Sequence, residues 1–121
     1  MDYFRFENLD IWKYAIELSD SLFDYPDRAE DRKFFRFAEQ HRAATLSISN
    51  NMTEGSGSFS NKEFACFLNI ARRSVFKCAN ILNIFLRRKI ISEVEKNHIY
   101  PVLILLSKRI TSFHKSLNKT L

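Results

Sequence analysis

The chain has 121 residues, 45% of them hydrophobic and 27% charged, which suits one domain with its own core rather than two domains or a disordered tail. Two glycines and two prolines are too few to punctuate the turns of a β-sandwich or barrel, and they exclude Gly-rich phosphate loops and low-complexity linkers. The net charge of +5 hides an asymmetry: residues 1–71 hold 8 Lys+Arg against 12 Asp+Glu (−4), whereas residues 72–121 hold 11 against 2, Glu93 and Glu95 (+9). A basic half of this size suggests an anionic partner, nucleic acid foremost, or a complementary surface on another copy of the chain.

No run reaches the roughly 18 apolar residues of a membrane span. The start, Met1-Asp2-Tyr3-Phe4-Arg5, lacks the basic-then-apolar order of a signal peptide, so a cytoplasmic protein without membrane contact is expected. Cys66 and Cys78 stand twelve residues apart in one predicted helix, roughly 18 Å at the helical rise, and cannot pair.

Four amphipathic segments follow in chain order. The first helix is predicted over 8–24, where Leu9, Trp12, Ile16, Ser19 and Phe23 form one stripe and Asp10, Lys13, Glu17, Asp20 and Asp24 a mostly acidic one. Pro26 is expected to end it. The second spans 30–54, with Phe34, Phe37, Ala44, Ile48 and Met52 on its apolar side, and Glu54-Gly55-Ser56-Gly57 is expected to close it, since glycine readily supplies a left-handed helix end. Beside that side Gln40, Ala44, Ser47, Asn51 and Glu54 make a small and polar stripe suited to a hydrogen-bonded packing seam within the bundle or between subunits.

Ser60 and Glu63 form a capping box for a third helix over 61–89. Its seam is Phe64, Leu68, Ala71, Val75, Cys78, Leu82 and Phe85, the strongest periodic signal in the chain. Ser92 and Glu95 cap a fourth helix over 93–118, with Ile99, Leu103, Leu106, Ile110, Phe113 and Leu117 inward and Pro101 expected to kink or divide it. The fold class expected is all-α, an antiparallel up-down four-helix bundle occupying residues 1–121 as one domain. Twelve Phe, four Tyr and one Trp exceed what one bundle seam needs, and self-association would cover the surplus.

No nucleophile, base or zinc signature accompanies His41, His98 or His114, which read as surface or flank histidines. Glu95 and His98 have the spacing of a bundle di-metal motif, but the second motif and the extra carboxylates are missing, so no metal, cofactor or catalytic residue is expected. The basic residues Arg72, Arg73, Lys77, Arg87, Arg88, Lys89, Lys108, Arg109, Lys115 and Lys119 are candidates for contacting RNA or DNA backbones on adjoining faces of the third and fourth helices. The alternative is a structural assembly module, whose acidic first helix meets this basic surface on a neighbouring subunit or protein partner.

A family resemblance is carried by Phe6-x-x-Leu9-x-Ile11-Trp12, Gln40-x-Arg42, Ser47-Ile48, Asn51-Met52-x-Glu54-Gly55, and Glu63-Phe64-x-x-Phe67-Leu68-x-Ile70-Ala71-x-x-Ser74. Over residues 6 to about 86 the chain resembles the bacterial four-helix bundle proteins encoded in intervening sequences of 23S ribosomal RNA genes. The accessory variability determinant of diversity-generating retroelements is similar to that family. The resemblance implies a homopentameric ring of bundles with a central channel, no enzymatic activity, nucleic-acid binding through basic surface and, in the retroelement branch, association with a reverse transcriptase. Four positions depart from the family pattern: His41 replaces an aliphatic residue, Ala43 the second Arg of a pair, Arg73 a Gly, and Lys77 a Glu.

Overall fold

The structure, a computed structural model, describes residues 2–118. It is all-helical, with no strand among the described residues: a 3-10 turn at Arg5–Asn8, α1 (Asp10–Leu22), a short α2 (Tyr25–Asp31), α3 (Phe35–Ser56), α4 (Asn61–Arg87) and α5 (Glu93–Asn118). The four long predicted helices thus correspond to α1, α3, α4 and α5. α3 packs on α4 and α4 on α5, while α1 rests on both α3 and α5.

The periodic seams of α4 and α5 are buried as their spacing predicts, from Phe64 through Phe85 and from Ile99 through Leu117, with Phe113 half-buried. Ser92 and Glu95 form the reciprocal capping box, with backbone-to-side-chain bonds of 3.0 and 3.1 Å. At α4 the Glu63 amide donates to Ser60 Oγ (3.1 Å). α5 runs unbroken through Pro101, so the expected division does not occur.

Several expectations are corrected. The α1 stripe that enters the core is Ile11, Ala15, Leu18, Ser19 and Leu22; of the predicted set only Ser19 is fully buried, Leu9, Trp12 and Ile16 are half-buried and Phe23 is exposed. Helix 30–54 is split. Pro26 does not end a structure but sits in the first turn of α2, where its missing N–H costs nothing. The chain then turns at Lys33, whose φ is 66°, before α3 begins at Phe35.

That turn is a Schellman closure: the Lys33 amide donates to Glu30 O (2.8 Å) and the Phe34 amide to Ala29 O (2.8 Å). The same closure recurs after α4 with Lys89 at φ 60°, where the Ile90 amide donates to Phe85 O (2.8 Å) and buried Ile90 seals the end. Lysine supplies the left-handed residue in both places, so the glycine signal that would announce these turns is absent from the sequence.

α3 closes within Glu54-Gly55-Ser56-Gly57 as expected, ending at Ser56 with Gly57 as its C-cap, but neither glycine has positive φ, and Gly55 lies inside the helix. Its role is steric. A Cβ at this position would stand 2.7 Å from Phe64 Cδ1 and 2.8 Å from Phe67 Cβ, so hydrogen is the only substituent that lets α3 approach the start of α4 this closely.

His41 is not a surface histidine. It is fully buried against the Phe85 ring (centroids 5.3 Å apart), and its Nε2–H donates to Leu22 O (3.0 Å), tying α3 to the end of α1. Burial pushes its pKa down to about 4, only partly opposed by that hydrogen bond, so the ring is neutral at pH 7.

Three outcomes follow from this packing. Gly55→Ala lowers Tm, because a forced shift of about 1–3 kcal/mol outweighs a helix-propensity gain of under about 1 kcal/mol. Gly57→Ala, whose Cβ would meet Glu54 O at 3.4 Å and Thr53 O at 3.9 Å, ordinary contact distances, and whose φ is −84°, leaves Tm unchanged or higher. For His41 the folded pKa lies below the unfolded one, so its contribution of roughly 3 kcal/mol is complete above pH 6.5 and is lost as the pH falls towards 4. Urea midpoints across that window decline in the wild type, and His41→Leu flattens the decline.

Candidate nucleic-acid interface

Between Phe64 and Arg87 in α4, and between Lys96 and Asn118 in α5, the chain carries eight Lys or Arg residues and no carboxylate. The acids that border these spans are engaged at helix starts: Glu63 in the first turn of α4, Glu93 and Glu95 in that of α5. Acids there favour the positive ends of the helix dipoles and leave the flanks behind them cationic.

The predicted contact residues do not form one face. Arg73 and Lys77 are exposed one turn apart on α4, and Lys108 and Lys115 are exposed on the outward side of α5. Arg72 is half-buried beside α5, its guanidinium 4.7 Å above the Phe76 ring. Arg87, Arg88 and Lys89 gather at the far end of the bundle, where the Arg88 carbonyl accepts a hydrogen bond from Arg32. Arg109 lies over Tyr14 of α1 (4.6 Å) and so belongs to the opposite flank of α5, a correction to the expected grouping. Lys119 is outside the described residues.

Between α4 and α5 runs a groove that residue-by-residue charge counting does not reveal. Asn69, Arg72, Phe76, Asn80 and Asn83 line its α4 wall together with Leu68, Val75 and Ala79, and Tyr100, Ile104, Ser107, Thr111 and His114 its α5 wall together with Leu103 and Ile110. Two clefts of about 300 and 350 Å³ occupy successive turns of this helix pair. Each is near the lower limit for a small-molecule site, so the pair suits an extended ligand better than an enclosed one. The signal is present in the sequence: both walls keep a 3,4 helical rhythm beside the apolar seams, and Arg72/Phe76 and Lys96/Tyr100 are i,i+4 cation–aromatic pairs.

Most residues of the family motif make contacts within the chain. Phe64, Leu68 and Ala71 are buried in the seam, Phe67 is half-buried beside Gly55, and Trp12 takes the edge of Phe6 (centroids 5.0 Å). Ser47 Oγ accepts from Ser74 Oγ (2.8 Å) and from Asn51 Nδ2 (2.9 Å), so this part of the polar stripe is a seam within the chain. Gln40 and Glu54, at the stripe's ends, are exposed. Arg42 grips α2 through Asp27 (2.7 Å) and Glu30.

A model of the 23S rRNA-intervening sequence protein matches residues 7–112. The chain belongs to that family. No curated protein matches it. The departures from the family pattern divide between core and surface: His41 takes a core position, whereas Ala43, Arg73 and Lys77 are exposed.

No cluster of three or more His, Cys, Asp or Glu side chains suited to a metal occurs among the described residues. Glu95 is bound to Arg28 (2.6 Å) and to the Ser92 cap, contacts that pull its pKa down to about 2, and His98 is exposed. Cys66 and Cys78 are both free thiols, and burial pushes Cys78 up to about 11. No helix among the described residues is long and apolar enough to cross a membrane.

Because Arg42 serves α2 rather than the groove, Arg42→Ala costs about 1 kcal/mol in thermal or urea unfolding. It leaves any nucleic-acid affinity within twofold of wild type (about 0.4 kcal/mol).

Proposed function

We propose that this chain is a non-enzymatic accessory protein of the cytoplasm that binds RNA or DNA backbones through the basic flanks of α4 and α5. The observation that carries the reading is the pair of carboxylate-free helical spans with exposed cations, Arg73, Lys77, Lys108 and Lys115, on their outer sides. Lys and Arg arranged this way neutralise phosphates with little regard to sequence.

The proposal includes the bundle's topology and assembly. Contacts along α3 from Thr45 to Gly55 meet α4 from Cys78 back to Phe64, and Phe64 in turn meets Phe113 near the end of α5, as antiparallel neighbours do. An up-down four-helix bundle accounts for these pairings. Exposed Phe35, Leu46, Phe59 and Ile70 support self-association. The acidic outward stripe of α1 and the basic flanks of α4 and α5 are unlike surfaces, the kind of head-to-tail pair that closes into a ring. A pentamer, and a reverse transcriptase as the enzyme assisted, rest on the family resemblance.

Binding to a labelled structured RNA and to a DNA duplex is expected at low salt, with log affinity falling linearly against log salt concentration. Replacing Arg73 and Lys77 together by Ala lowers affinity and makes the salt slope shallower by about one for each phosphate no longer neutralised. Arg109→Ala changes it less. Salt-indifferent affinity, or none at low salt, defeats the proposal. The assembly reading predicts a light-scattering mass above the 14.3 kDa of one chain at low and moderate salt.

A further inference from the structure

We infer that the groove between α4 and α5 seats an unpaired nucleic-acid strand, with a base stacked on Phe76 and the backbone beside Arg72, Lys108 and Lys115. The inference rests on the nucleic-acid reading above and narrows it to a strand class and a site.

Phe76 is 54% exposed in a cleft it shares with Val75, Ala79, Leu103 and Ile104 as well as Asn80 and Asn83, and the Arg72 guanidinium lies over its ring. A duplex has no use for such a ring, since its base faces are already stacked, whereas a single strand offers unstacked faces that gain from aromatic and guanidinium planes. Asn80, one turn beyond Phe76, and Asn69, two turns before it, bring side-chain amides, each with both donor and acceptor groups able to meet a base edge. Across the groove, Asn118 Nδ2 lies 3.3 Å from His114 Nδ1. An amide donating there leaves the His114 Nε2–H as a free donor towards the strand.

Arg72 has no ion-pair partner among the described residues, and its Nε is buried without a hydrogen-bond acceptor. A buried guanidinium donor in that state favours an oxyanion close by. No carboxylate lines either cleft.

The competing occupant is α1 of a second copy, which matches the groove in charge. Its outward residues Asp10, Lys13, Glu17 and Asp20 are charged, and the ring exposed with them, Phe23, stands past the last turn of α1, so the helix offers no repeating planar groups along the groove. A nucleic-acid strand supplies both the charge and the planes.

The test compares one unstructured oligonucleotide, as RNA and as DNA, with the corresponding duplexes, using fluorescence anisotropy at low salt. Single strands are expected to bind more tightly than duplexes. Phe76→Ala weakens single-strand binding by roughly tenfold and duplex binding by less than twofold, while Phe76→Trp retains it. Unfolding curves and light scattering accompany each variant.

If wild-type protein binds but Phe76→Ala binds single strands equally well, the groove inference is overturned and the backbone-binding proposal stands. If no nucleic acid binds at low salt, both fall. A Phe76→Ala variant that changes oligomeric mass while keeping its nucleic-acid affinity assigns the groove to a subunit contact and also overturns the inference. The RNA and DNA arms identify which strand the groove prefers.

Discussion

The close approach of α3 and α4 at Gly55 governs the rest of the molecule. With no side chain at that position, the Phe64 ring and the Phe67 stem fit against the α3 backbone at distances no Cβ would permit. Farther along the pair the spacing is kept by small and hydroxyl residues: Ser47 meets Ser74, and Thr45 stands 3.7 Å from Cys78. Held there by one flank, α4 directs its seam into the core and leaves its other flank to α5. The groove between α4 and α5 is therefore a consequence of how tightly α3 and α4 are joined.

A second layer of interactions secures the short α2 at the end of the bundle. Arg42 reaches it from α3, Arg28 extends from it to Glu95 of α5, and Arg32 hydrogen-bonds the Arg88 carbonyl where α4 ends. These arginines absorb acids of the first half of the chain and the acid that starts α5. The arginines and lysines of α4 and α5 have no such counterparts along their flanks, so the uneven charge of the two halves becomes a spatial separation. An acidic α1 surface and basic α4 and α5 surfaces result.

Much of this is legible in the residues. The seams of α4 and α5 follow heptad-like spacing because each helix buries one stripe along its whole length, and a long regular helix is where periodicity averages best. The chain between α1 and α3 is less legible. α2 is seven residues long, too short for a periodic signal, and its Schellman closure uses Lys33 rather than glycine. His41 reads as a surface residue because residue type alone argues for it, whereas the Leu22 carbonyl at 3.0 Å makes burial tolerable. The basic residues of the candidate site are visible in the sequence as a set. Their division into the α4 and α5 flanks, the bundle end and the Tyr14 side is not.

The sequence by itself determined the helical class, the three long helices with their buried stripes, the α5 capping box and the charge asymmetry, because each depends on residues within a few turns of one another. Scarce glycine and proline were enough to exclude a β-sandwich or barrel, and the basic second half pointed to an anionic partner. Only the tertiary structure decided what Gly55 is for, why a histidine can occupy the core, and that mixed polar and aromatic stripes from separate helices share one groove. Those features arise from distances between elements far apart in the chain, and such distances follow from the packing of all the helices together.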